Sequence, residues 1–133
     1  MGLLANKWAR LAATVAWMGV ILFLSSQSRL PDLSLAFSDA LQDVLGHFFA
    51  YGALALLTFW TLEAFGARRP ALWALVVALL YGMSDEFHQA FVPGRHPDPL
   101  DVATDIAGAA VTLLALRLVR FRTRRRHPRS SQS

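Results

Sequence analysis

The chain has 133 residues, of which 55% are hydrophobic and 17% are charged, and it contains no cysteine. The charged fraction lies well below the roughly one quarter of residues that is usual in soluble domains. The apolar residues form four long blocks, which excludes a soluble bundle of amphipathic helices. The absence of cysteine excludes disulfides, thiol catalysis and cysteine-ligated zinc. We therefore predict one all-α domain, an integral membrane bundle of four transmembrane helices.

The first predicted span has an apolar core from Leu11 to Leu24, preceded by Lys7 and Arg10. A secretory signal peptide has a similar basic flank and apolar core, and Ser26-Gln27-Ser28 resembles a cleavage site. Removal of this segment would leave three spans and break the charge pattern described below. We therefore favour an uncleaved first span.

The second predicted helix starts at Ser38, a suitable N-cap, and runs to about Leu62. Asp43, His47 and Tyr51 are four residues apart, so they form one stripe along its first turns. Each also has a structural interpretation. Asp43 could be a solvated acid of the first turn, His47 could hydrogen-bond a neighbouring helix, and Tyr51 could be an interfacial aromatic.

The third predicted helix runs from about Pro70 to Ala90, and its last turns are polar. The polar residues are Asp85, Glu86, His88 and Gln89. Adjacent acids at the end of a membrane helix must be hydrated, paired or protonated. We predict that Arg95, placed by the turn at 93–94, folds back to neutralise the acids at 85 and 86.

The fourth predicted helix opens with Asp98 as N-cap and Pro99 at its first position. Asp101, Asp105 and Gly108 share one face, and the many small residues nearby permit close approach of another helix. Asp98 and Asp101 could alternatively serve only as helix caps. We place the membrane domain at residues 1–121 and expect residues 122–133 to form a disordered basic cytoplasmic tail.

Basic residues predict the orientation of the bundle. Of the 13 Lys and Arg residues, two precede the first span, two separate the second and third, and seven end or follow the fourth. Only Arg29 and Arg95 lie on the other side. The positive-inside rule therefore places both termini in the cytoplasm. The C-terminal arginines then serve topology and contact with anionic lipid, and we expect no nucleic-acid partner.

This orientation brings polar residues from three helices to the outer leaflet. They are His47, Tyr51, Asp85, Glu86, His88, Gln89, Arg95, Asp101 and Asp105. Ionisable groups are costly in a membrane, so such a cluster predicts a functional site. A purely structural network of Arg95 with the acids is the alternative.

Three spaced motifs resemble those of the VanZ-like membrane family. They are Asp43-x3-His47-x3-Tyr51, Asp85-Glu86-x2-Gln89-x3-Pro93-Gly94-Arg95 and Asp101-x3-Asp105-x2-Gly108, with Ser25-Ser26-Gln27 ending the first span. The resemblance extends from the first span to the fourth. The chain departs from the family at Val44, where lysine is usual, and at Asp105, where asparagine is usual.

The resemblance implies a multi-pass protein of the bacterial cytoplasmic membrane and cell envelope. The founding member is associated with resistance to the glycopeptide teicoplanin. Our first hypothesis is an outer-leaflet site for a phosphate- or glycan-bearing envelope ligand, such as a cell-wall precursor or another anionic lipid. Its predicted ligand-binding residues are Gln89, Arg95, Asp101 and Asp105.

The alternative hypothesis is a membrane-embedded hydrolase or transferase acting on a lipid-linked substrate, by acid–base chemistry or with a divalent metal. The catalytic candidates are His47, Tyr51, Asp85, Glu86 and His88, and the metal candidates are His47, Asp85, Glu86 and His88. The sequence contains no HExxH motif and no familiar nucleophile motif. A proton-coupled transporter is disfavoured, because the polar groups lie at one leaflet only.

Overall fold

The computed structural model describes residues 6–28 and 39–126, which form four helices. Helix α1 spans Lys7–Ser25, α2 Asp39–Ala64, α3 Pro70–Gln89 and α4 Pro99–Arg126. Each contains a segment long and apolar enough to cross a membrane. The prediction of an all-α, four-span bundle is therefore confirmed within the described residues.

The helix starts follow local sequence signals. Asn6 caps α1, because its Oδ1 accepts a hydrogen bond from the backbone N–H of Trp8 at 2.9 Å. Pro70 begins α3. Asp98 caps α4 as predicted, since its Oδ1 accepts from the backbone N–H of Leu100 at 2.9 Å. The predicted cap of α2, Ser38, lies outside the described residues.

The bundle has a narrow core and an apolar outer surface. Small residues such as Ala55, Ala78 and Ala109 are fully buried, whereas Phe91 is 72% exposed and many other large apolar side chains also face outwards. A hydrocarbon environment accommodates such a surface, but water would not. The exposed apolar side chains therefore agree with the membrane assignment.

Glycine allows α2 and α4 to pack closely. A Cβ atom on Gly108 would clash with the backbone carbonyl of Phe48, and one on Gly52 would lie 2.6 Å from Oγ1 of Thr112. The predicted close approach of α4 to a neighbour is thus confirmed, and that neighbour is chiefly α2.

The two ends of the bundle differ in chemistry. At one end, Arg10 donates a hydrogen bond to the carbonyl of Trp60 at 3.1 Å, and Arg120 forms a two-point ion pair with Glu63. The opposite end, formed where α1 and α3 finish and α2 and α4 begin, carries the predicted polar cluster. We call it the site end.

Helix α4 is longer than expected. It continues to Arg126, so residues 122–126 of the predicted disordered tail are helical. Arginine favours helix, which allows α4 to extend beyond its apolar part. The remainder of the predicted tail lies outside the described residues.

Candidate functional site

A partly open cavity of about 90 Å³ lies at the site end. Its polar lining comes from α1, α2, α3 and the turn after α3, and consists of Ser25, Asp43, His47, Tyr51, Asp85, Gln89 and Arg95. Three of the four helices therefore contribute polar atoms directly. The fourth, α4, contributes through its contact with His47.

His47 connects the cavity to α4. Its Nδ1 lies 2.9 Å from Oδ1 of Asp105, and its Nε2 lies 3.9 Å from Oδ2 of Asp101. The Asp105 side chain has no exposed surface. A Cβ atom on Gly82 would lie 2.7 Å from Oδ2 of Asp105, so α3 leaves room for this carboxylate by carrying glycine there.

Several polar atoms around the cavity are buried and have no hydrogen-bond partner among the described residues. Those on lining residues are Oγ of Ser25, Oη of Tyr51 and Oδ1 of Asp85. Tyr51 is 1% exposed and Asp85 is 4% exposed. Because leaving such groups unpaired costs free energy, the cavity is suited to a polar occupant that supplies both donors and acceptors.

The structure corrects the predicted partner of Arg95. Its Nη1 lies 3.3 Å from Oδ1 of Asp43, and its Nε donates to the carbonyl of Gln27 at 3.0 Å. Among the described residues, the ion pair of Arg95 is therefore with α2 rather than with the acids of α3. The prediction failed because the turn through Gly94, whose φ is +81°, carries Arg95 towards α1 and α2.

The adjacent acids of α3 have separate environments. Asp85 lines the cavity, whereas Oε2 of Glu86 accepts a hydrogen bond at 2.7 Å from the backbone N–H of Asp98. Glu86 thus joins the end of α3 to the start of α4. Successive helical residues point about 100° apart, which explains why these neighbours diverge.

Of the remaining predicted site residues, some line the cavity and one does not. Gln89 is buried and lines the cavity. His88 does not line it, and its Nε2 lies 3.0 Å from Oγ of Ser26, across the contact between α1 and α3. Tyr51 is buried inside the bundle, with its ring nearly parallel to that of His47.

A group suited to metal binding differs from the one predicted. Ligand atoms of Asp43, His47 and Asp101 lie within 4.8 Å of one another. His47 belongs to the predicted set, but Asp85, Glu86 and His88 are not in this group. Asp43 is absent from the metal ligands predicted from the sequence, although its spacing of four residues from His47 places both on one helical face.

Comparison with known proteins gives two matches. The sequence profile of the VanZ/LLP1 family matches residues 10–120. An uncharacterized protein from the fission yeast Schizosaccharomyces pombe is 31% identical over 84 residues, covering 60% of this chain and 52% of that protein. The chain thus spans about half the length of this curated relative. No solved structure matches.

Proposed function

This chain belongs to the VanZ/LLP1 family, and from that premise we propose that its cavity binds the polar headgroup of a lipid-linked envelope molecule. We further propose that the protein is a multi-pass component of the bacterial cytoplasmic membrane with both termini in the cytoplasm. The positive-inside rule supports this orientation, which puts the site end at the outer leaflet.

Unpaired polar atoms in a cavity beside the lipid-facing surface are the main support for this proposal. Oγ of Ser25, Oη of Tyr51 and Oδ1 of Asp85 are buried, yet they line a partly open cavity. Leu24, which also lines it, is 40% exposed. A molecule held in the bilayer by an apolar chain could therefore present its headgroup to the cavity from the side.

Charge supports a ligand that carries both hydroxyl and phosphate groups. Carboxylates such as Asp85 accept hydrogen bonds and suit the hydroxyls of a glycan, but they repel a bare anion. Arg95 is the cationic residue among those lining the cavity, and guanidinium binds phosphate by two parallel hydrogen bonds. We therefore favour a phosphate-linked glycan lipid, with a cell-wall precursor as the leading ligand.

Binding of three lipids to the full chain in nanodiscs tests this proposal. They are a polyprenyl-diphosphate-linked disaccharide, the same polyprenyl diphosphate without sugar, and phosphatidylglycerol. The glycan lipid should bind most tightly, because it offers the many hydroxyl groups of a glycan together with phosphate, whereas phosphatidylglycerol offers only the hydroxyls of its glycerol. Equal affinity for all three would reduce the site to an unspecific anionic-lipid contact.

A role in glycopeptide resistance forms a second part of the proposal. A protein that holds a cell-wall precursor at the outer leaflet competes with a glycopeptide for that lipid. Expression in a susceptible bacterium should therefore raise the inhibitory concentration of teicoplanin, and Asp85→Asn should abolish the increase. Unchanged susceptibility despite headgroup binding would separate the binding function from resistance.

The geometry of His47 favours one alternative, an enzyme acting on the same lipid. The Asp105 carboxylate holds the imidazole at 2.9 Å, an arrangement found in general bases. In phosphoester hydrolysis, His47 would take a proton from the attacking water, while Tyr51 would protonate the leaving oxygen as the P–O bond breaks. Release of the water-soluble disaccharide, with or without its phosphate groups, by wild type but not by His47→Gln, with binding retained, would establish this activity.

A further inference from the structure

We propose that Asp43, Nε2 of His47 and Asp101 bind a divalent transition-metal ion, and that Asp105 orients the imidazole. Zn²⁺ and Mn²⁺ fit this donor set. The proposal that a cation binds here rests on the side chains themselves and not on the proposed function. A role for the cation in recruiting a phosphate-bearing headgroup rests on the proposed function.

The donor atoms are close enough to share an ion. They lie within 4.8 Å of one another, and the distance from Nε2 of His47 to Oδ2 of Asp101 is 3.9 Å. Nitrogen and oxygen ligands lie about 2.0–2.2 Å from zinc, so two donors on one ion can be up to about 4.4 Å apart. Small rotations of the carboxylates therefore close the site.

Asp105 directs the imidazole towards that position. A hydrogen bond from Nδ1–H to Oδ1 of Asp105, at 2.9 Å, leaves the lone pair of Nε2 free on the side of Asp101. Metal-binding histidines commonly donate their other nitrogen to a carboxylate in this way, which fixes the tautomer and increases ligand basicity. The buried carboxylate of α4 thus prepares His47 for coordination.

The neighbouring cavity provides independent support for a ligand here. Asp43 and His47 line it together with Tyr51 and Asp85, whose buried Oη and Oδ1 atoms have no partner among the described residues. Three protein donors leave a coordination position free for water or a substrate oxygen, as in catalytic zinc sites. Unpaired buried oxygens therefore line the same cavity as two of the three metal donors.

A bound dication would reduce the electrostatic repulsion between the site end and a phosphate group. The site end carries several carboxylates, which oppose the approach of a phosphate group. A dication between Asp43 and Asp101 would offset two of these charges and could bind a phosphate oxygen directly. Asp43 has two carboxylate oxygens, so it can contact both Arg95 and the ion.

The donor types distinguish this site from those of calcium and magnesium. Calcium takes six to eight oxygen ligands, and magnesium requires octahedral oxygen coordination. Imidazole with two carboxylates instead suits zinc or manganese. A buffer containing Ca²⁺ or Mg²⁺ at the same concentration should therefore compete poorly for the site.

The test is metal binding by the tag-free full chain in detergent after treatment with a chelator. Zn²⁺ titration by calorimetry should give one ion per chain, with elemental analysis confirming the ratio. His47→Gln and Asp101→Asn should each weaken binding by at least about tenfold. His88→Gln and Glu63→Gln are controls, because these residues lie outside the metal-binding group, and they should bind as wild type does.

Spectroscopy keeps the proposal testable if a variant is unstable. Co²⁺ substituted for Zn²⁺ should give visible absorption typical of four-coordinate nitrogen and oxygen ligation in wild type and in His88→Gln. Absence of this signal, or zinc affinity unchanged by both His47→Gln and Asp101→Asn, would overturn the site. Either result would identify any bound metal as adventitious.

Headgroup binding with and without chelator separates this inference from the proposed function. A loss of affinity in chelator, restored by Zn²⁺, would support the role of the ion in recruitment. Unchanged headgroup affinity would refute that role while leaving the headgroup site intact. Metal binding without headgroup binding would retain the cation site and refute the proposed function.

Discussion

Oδ1 of Asp105 lies 2.9 Å from Nδ1 of His47, and this buried contact joins α4 to α2 at the site end of the bundle. The Asp105 side chain has no exposed surface. The imidazole and neighbouring polar groups, rather than water, must therefore stabilise a negative charge on it. The same contact leaves Nε2 of His47 on the side of Asp101. It therefore serves both packing and site chemistry.

Replacing Asp105 should separate the hydrogen bond from the charge. Asp105→Asn keeps an acceptor for Nδ1–H and should retain most of the affinity for the lipid headgroup. Asp105→Ala should lower that affinity by about 10–100-fold, because the imidazole loses its orientation. Binding measured by calorimetry in nanodiscs would show the difference. Equal losses in both variants would indicate that negative charge, rather than orientation, is the contribution of Asp105.

Gly82→Ala should disturb the site through Asp105. The added Cβ would lie 2.7 Å from Oδ2 of this buried carboxylate, so the carboxylate must move. We expect loss of headgroup binding together with a lower thermal midpoint. Gly19→Ala is the control, because a Cβ atom there meets nothing within 4 Å. It should leave binding unchanged, and a similar defect in both variants would dismiss the close-approach explanation.

Arg95 should be coupled energetically to Asp43 and not to Asp85. In a double-mutant cycle with Arg95→Gln and Asp43→Asn, we expect a coupling of about 0.5–1 kcal/mol in unfolding free energy, because the pair is only partly buried. The parallel cycle with Asp85→Asn should give a value near zero. The reverse pattern would restore the ion pair expected from the sequence alone.

The sequence predicted the helices better than it predicted their side-chain partners. Asp98 and Pro99 defined the start of α4 well, because capping is a local property. The partner of Arg95 depends on the direction of a turn and on which face of α2 is nearby. Those properties are set by tertiary packing, so spacing along α3 pointed to the wrong acids.

The sequence also predicted part of the candidate site, namely which residues cluster but not all of their contacts. The stripe of His47 and Tyr51 and the face carrying Asp101 and Asp105 indicated one polar cluster, and the structure brings His47 against both acids. The divergence of Asp85 from Glu86 required knowledge of how α3 is rotated in the bundle. The ion pair of Asp43 with Arg95 required knowledge of where the turn after α3 leads.

Topology should follow the basic residues. A reporter fused after residue 126 should be cytoplasmic, and one inserted next to Asp98 should be external, because most Lys and Arg residues lie at the opposite end of the bundle. Paired alkaline phosphatase and fluorescent-protein fusions would measure both positions. Reversed signals would move the cavity to the inner leaflet and remove the argument for an envelope ligand.

The affinity of Asp85→Asn for a glycan lipid shows whether the cavity at the site end binds a lipid headgroup. The measurement is calorimetric titration of a polyprenyl-linked disaccharide into nanodiscs containing wild type, Asp85→Asn or the control Glu63→Gln, an acid at the other end. Asp85→Asn replaces a charge-assisted hydrogen bond by a neutral one, a difference of about 1–1.5 kcal/mol, so it should bind about 5–15-fold more weakly while Glu63→Gln matches wild type. Equal affinity for all three proteins would contradict the account.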